Sequence, residues 1–131
     1  MSEAVILVVD DDAGTARWIA RVFLGDGRHV TIAGSGSAAR VLGGRFDVGV
    51  FEIELAGMSG IELAQQMLDE GRLGRVVFFT GATWQGLLRR AAALGPVIPK
   101  DGGPAVLASE LRRIVGSRLA GDVEASALAS A

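Results

Sequence analysis

The 131-residue chain is half hydrophobic and carries a net charge of -2, from 13 basic and 15 acidic residues, with no cysteine and one histidine. Its length suits one domain, and its composition excludes a disulfide framework, a thiolate zinc site, a cysteine nucleophile and the basic footprint of a nucleic-acid binder. No apolar run approaches the roughly 20 residues of a membrane span and the N-terminus lacks a signal-peptide pattern, so the expectation is a cytoplasmic chain with no membrane contact.

In chain order, Ala4 to Val9 is a short continuous apolar run rich in β-branched residues, which predicts a buried strand ended by Asp10, Asp11 and Asp12. Asp12 to Leu24 reads as a helix with Ala16, Ile19, Ala20 and Phe23 on one stripe and Arg17 and Arg21 off it; Gly25 and Gly27 stop it. His29 to Ala33 is a second strand, and Ser37 to Leu42 a short helix closed by Gly43 and Gly44. Asp47 to Phe51 is a third strand, interrupted by Gly49. Ala56 to Gly60 forms a turn-rich loop before a helix over Ile61 to Glu70, stopped by Gly71. Arg75 to Thr80 is a fourth strand. Thr83 to Leu94 is a helix with Leu87, Leu88, Ala91 and Leu94 inward, and Val97 and Ile98 form a fifth strand between two prolines. Pro104 opens the last helix, lined by Val106, Leu107, Leu111 and Ile114.

Strands alternating with helices predict an α/β fold: a flavodoxin-like (βα)5 doubly wound parallel five-stranded sheet in the order 2-1-3-4-5. It occupies 1–119 as one domain, with a helical extension or tail over 120–131, where small residues leave little to bury. No internal repeat or linker divides it.

Ligands of open α/β sheets bind outside the carboxyl ends of the strands. Those ends carry Asp10, Asp11 and Asp12, then Glu52 and Glu54, then Thr80, then Lys100, the one lysine among thirteen basic residues. Crowded carboxylates repel unless a cation or a proton joins them, and hard oxygens with open positions suit Mg²⁺. Thr80 and Lys100 would then donate to phosphoryl oxygens. Asp11 or Asp12 also suits the cap of the first helix, and Thr80 taken alone is an ordinary strand-end residue.

The segments Ile6 to Asp12, Asp47 to Leu63, Val76 to Gly81 and Val97 to Lys100 together resemble the receiver domain of bacterial two-component response regulators, over roughly residues 3 to 118. The resemblance implies that Asp10 and Asp11 are the acidic pair that holds Mg²⁺, joined by residue 52, that Thr80 is the switch hydroxyl and that Lys100 contacts phosphate. It also implies an aspartate phosphoacceptor where this chain has Glu52. Ala56 replaces a proline, Val97 replaces an aromatic switch residue, Asp101 replaces the proline after the lysine, and the loop before the fifth strand is about two residues short. In this family a glutamate at the acceptor position sometimes mimics the phosphorylated state, although Val97 leaves no ring to report on Thr80.

An extra methylene moves the carboxylate oxygen by on the order of 1 Å, a misplacement that can cost about 100-fold in attack. The expectation is therefore an atypical receiver, not an enzyme, that signals by protein contacts with little phosphorylation at Glu52 and binds Mg²⁺ weakly through Asp10, Asp11 and Glu52. Its expected partners are a histidine kinase or a downstream output protein, or a second copy through the fourth helix, fifth strand and fifth helix, where Arg89, Arg90, Arg112 and Arg113 lie. Output would pass to a partner or through a larger parent protein. Two alternatives stand beside this: a conventional phospho-accepting receiver, and a dinucleotide-binding domain suggested by Gly34 to Ala39, which fits Gly-x-Gly-x-x-Gly/Ala, with Glu54 after the next strand.

Overall fold

The computed structural model describes residues 4–24, 29–103 and 105–114. Five strands, β1 (Val5–Val9), β2 (His29–Ala33), β3 (Phe46–Phe51), β6 (Leu73–Thr80) and β7 (Val97–Pro99), form a parallel sheet in the order β2-β1-β3-β6-β7. Counted among sheet strands alone, this is the expected 2-1-3-4-5 order. Two further strands, β4 (Glu54–Leu55) and β5 (Met58–Ser59), pair as a small antiparallel hairpin. The sequence at 56–60 predicts only a turn-rich loop there. Gly57, at φ 72°, supplies the turn between them.

Alternation along the strands divides the core in two. Leu7, Val9, Phe51, Val76 and Phe78 face α2 (Gly36–Arg40), α3 (Gly60–Asp69) and α4 (Gln85–Ala92), while Ile6, Val8, Val48, Val50, Val77 and Phe79 face α1 (Ala13–Leu24) and the helix at 105–114. Each fully buried Leu, Val or Phe contributes about 1.5–3 kcal/mol. Both sheet faces are covered, which explains why the strands read as continuous apolar runs. Gly49 sits at the centre of β3 because a Cβ there would press on the Phe51 ring and Leu73.

Several boundaries differ from the sequence reading. β6 begins at Leu73, since Phe46 pairs with Leu73 and continues the ladder past the exposed Arg75. α2 spans Gly36–Arg40 rather than 37–42, because the Ser35 hydroxyl accepts from Ala38 N at 3.0 Å and starts the helix early; Val41 beyond it is exposed. α4 is confined to Gln85–Ala92, with Trp84 at its N-cap and offering no side-chain cap. Val106 was expected to face inward but is 48% exposed, because Leu107, Leu111 and Ile114, at i, i+4 and i+7, define the buried stripe. The glycine stop at 25–27, the Pro104 start and the tail at 120–131 with its boundary at 119 lie outside the described residues. No helix among the described residues is long and apolar enough to cross a membrane.

Candidate functional site

The ladder itself delivers the acidic residues. Asp10 N donates to Ala33 O at 3.2 Å and Glu52 N to Val9 O at 2.9 Å, so both residues leave their strands side by side at the carboxyl edge. Thr80 ends β6 next to them, and Lys100 opens the 3-10 turn that follows β7. Asp10, Glu52 and Thr80 are 3%, 6% and 1% exposed, and they are the buried polar residues of the described core.

Lys100 closes this cluster. Its Nζ lies 2.8 Å from Glu52 Oε2 and 3.0 Å from Asp10 Oδ2. Glu52 Oε1 accepts the Thr80 hydroxyl, Ile53 N at 2.8 Å and Glu54 N at 3.3 Å, while Oε2 also accepts Gly81 N at 3.4 Å. Thr80 Oγ1 in turn accepts Ala82 N at 3.0 Å. A buried carboxylate is costly unless paired and bonded; here both oxygens are. Burial pushes the Glu52 carboxyl up, but the bonds from Lys100 and Thr80 outweigh it and hold the group below its ordinary value. For Asp10, burial dominates and raises the carboxyl despite the Asp12 amide and Lys100. Burial works against the lysine's charge, and the bonds to Glu52 and Asp10 overcome it and raise the ammonium.

The other aspartates separate from this group. Asp12 caps α1, its Oδ1 accepting Gly14 N at 3.0 Å and Thr15 N at 3.3 Å, and those amides hold its carboxyl low. The exposed Asp11 reaches the hairpin, where its Oδ2 accepts Ala56 N at 3.3 Å. Glu54 is exposed on β4. A recess of about 190 Å³, lined by Glu52, Glu54, Gly81 and Ala82, opens beside the Glu52 carboxylate.

The amides of Gly81, Ala82 and Ala56 escaped sequence reasoning because backbone donors carry no residue signature. Gly60 escaped it too: a Cβ there would run into the Glu52 carbonyl, so α3 approaches the acceptor strand only at a glycine. Gly36 has a packing role as well, since Met58 lies where its Cβ would be, covering the start of the five-residue α2. That contact gives Gly36 a packing role that needs no phosphate, while Gly34 has open space where a Cβ would sit.

The donor chemistry suits a hard cation, but in this arrangement its oxygens are already engaged, so a cation would have to compete for them. Both oxygens of Asp10 and of Glu52, and one of Asp11, already accept protein donors. Among the described residues, no three acidic or histidine side chains converge as a metal-holding group.

The family model described as "Response regulator receiver domain" matches residues 6–112. A CheY-like response regulator receiver domain protein from Methanospirillum hungatei JF-1 is 23% identical with a TM-score of 0.76, covering 92% of this chain and 99% of that one. Chemotaxis response regulator CheY4 of Vibrio cholerae is 23% identical with a TM-score of 0.72, covering 86% and 99%. TrrA from Thermotoga maritima, solved in complex with Mg²⁺-BeF, is 21% identical with a TM-score of 0.71, covering 84% and 97%. At these identities the likeness is one of fold. No curated protein matches the chain.

Proposed function

Since the chain belongs to the response regulator receiver domain family, a family of two-component signalling modules, we propose that it is an atypical receiver that signals through protein contacts without turning over phosphate on residue 52. One observation carries this reading: Glu52 holds the Thr80 hydroxyl with one oxygen and the Lys100 ammonium with the other. A nucleophilic carboxylate must present a free oxygen in line with the incoming phosphorus. In this site that oxygen is committed to Thr80 or Lys100, and attack would require breaking charge-assisted bonds first.

Each residue then has a definite task. Lys100 neutralises Glu52 and shares its charge with Asp10. Thr80 is held toward Glu52, and Ala82 N, bonded to Thr80, carries that position into the segment leading to α4. Mg²⁺, where bound, would be held by Asp10, Asp11 and Glu52 and would supply charge neutralisation; it would compete there with Lys100 and the Ala56 amide, which supports weak binding.

Output passes through α4, β7 and the helix at 105–114. Arg89, Arg90, Arg112 and Arg113 are exposed there, a chemistry suited to an acidic face on a histidine kinase, an output protein or a second copy. The near-neutral net charge of -2 supports protein rather than nucleic-acid partners. The proposed compartment is the cytoplasm, the expectation for such a module.

Intact-mass measurement after incubation with acetyl phosphate and Mg²⁺ tests the reading. The native protein is expected to stay unmodified while a Glu52→Asp variant gains one phosphoryl group. Equal rates of gain would make the chain a conventional phospho-accepting receiver.

A further inference from the structure

Asp11 stands beside the site without entering it. Its Oδ2 is drawn to the amide of Ala56, at the turn of the β4–β5 hairpin, across 45 residues of sequence. That bond needs a residue with an N–H at position 56, and proline has none. The turn would nevertheless accept proline. Leu55 is extended in β4, as a residue before proline prefers. Gly57 has φ 72° and no non-glycine residue among those described has positive φ, so Ala56 and Gly57 occupy the central positions of a type II turn, where proline is favoured at the first. The identity of residue 56 therefore sets one thing in particular: whether the loop offers Asp11 a donor.

We propose that the Ala56 amide is a positioning group that withholds Asp11 from a divalent cation, leaving Lys100 as the resident cation between Asp10 and Glu52. The inference rests on the reading of Glu52 as a committed carboxylate. A hydrated Mg²⁺ needs hard oxygens with open lone pairs and near-octahedral geometry. Lys100 occupies the inner oxygens of Asp10 and Glu52, and the hairpin holds the most exposed carboxylate of the three. A cation that takes Asp11 Oδ2 must displace the Ala56 amide, and one that bridges Asp10 Oδ2 and Glu52 Oε2 must displace Lys100. Because one charge-assisted hydrogen bond is on the order of a tenfold change in an equilibrium, releasing Asp11 alone is expected to strengthen binding by about that factor.

Calorimetric titration of the full chain with MgCl₂ tests this, comparing the native protein with Ala56→Pro. The expected result is a roughly tenfold tighter Mg²⁺ affinity in Ala56→Pro, with an unchanged far-UV spectrum; equal affinities in two folded proteins overturn the proposal. A second measurement stands even if the variant fails to fold. In the native protein the Ala56 amide resonance must move in step with Mg²⁺ occupancy, because binding breaks its bond to Asp11, and saturation that leaves this resonance in place overturns the proposal. The two readings fail separately. Phosphoryl gain on native Glu52 would remove the proposed function while the tenfold effect of Ala56→Pro survives, and an absent effect in a protein that takes no phosphate would remove this inference alone.

Discussion

Asp10 and Glu52 face the same ammonium, which favours the charged form of both, yet they end on opposite sides of their ordinary values: burial leaves the Asp10 carboxyl raised, whereas the bonds from Lys100 and Thr80 leave that of Glu52 lowered. One lysine cannot fully compensate two buried carboxylates, and Glu52 is the better supported of the two because Thr80 bonds it as well.

This sets the pH dependence. Stability from Glu52 is present above its unfolded value and is lost as pH falls through its lowered folded value. Asp10 acts in the other sense, gaining a proton more readily when folded, which softens the acid loss. Stability from Lys100 is full below 10.5 and is lost as pH rises through its raised folded value. Urea midpoints are therefore expected to stay level through mild acid and to fall on the alkaline side above that value. Lys100→Met is expected to cost about 2 kcal/mol near neutrality, less than a fully buried pair because the lysine is partly exposed. Its midpoint is expected to rise toward pH 4, as the two buried carboxyls left without the lysine protonate; a midpoint lower at pH 4 than at pH 7 would count against the shared-lysine arrangement.

Thr80→Val keeps the β-branched shape and removes the hydroxyl. It leaves Ala82 N without its acceptor and strips one donor from Glu52, for an expected loss of about 1–3 kcal/mol. Thr80→Ser restores the hydroxyl and is expected to recover most of that loss in the same denaturation experiment.

Gly60→Ala is expected to cost about 1–3 kcal/mol through overpacking, since its Cβ would press on the Glu52 carbonyl and strain the 2.7 Å bond from Gly60 N to Ile53 O. Gly43→Ala, with open space around the added carbon, is the control and is expected to leave the midpoint unchanged or slightly higher. Equal effects at the two positions would dissociate α3 from the acceptor strand.

The sheet was legible because strands buried on both faces write unbroken apolar runs, and Asp10, Glu52 and Thr80 were legible because each stands at the end of such a run; Lys100 was legible as the one lysine, after the short strand Val97–Pro99. The hairpin at 54–59 was not, since two-residue strands have no period to read and Gly57 marks a turn without marking pairing. Nor was the division of the aspartates. Asp10, Asp11 and Asp12 are adjacent in sequence, yet one pairs with Lys100, one holds Ala56 and one caps α1, and only the geometry at the end of β1 separates them. Val106 was misplaced because a residue flanking an i, i+4, i+7 stripe looks apolar enough to belong to it.

The central claim is that Glu52 itself holds Thr80 and leaves nothing for phosphate to switch. Amide spectra of Gly81 and Ala82, recorded before and after acetyl phosphate and Mg²⁺ in the native protein and in Glu52→Asp, test it most directly. The account predicts resonances that move in Glu52→Asp and stay in place in the native chain. Phosphate-dependent movement of both amides in the native chain, matching that in the variant, would contradict it.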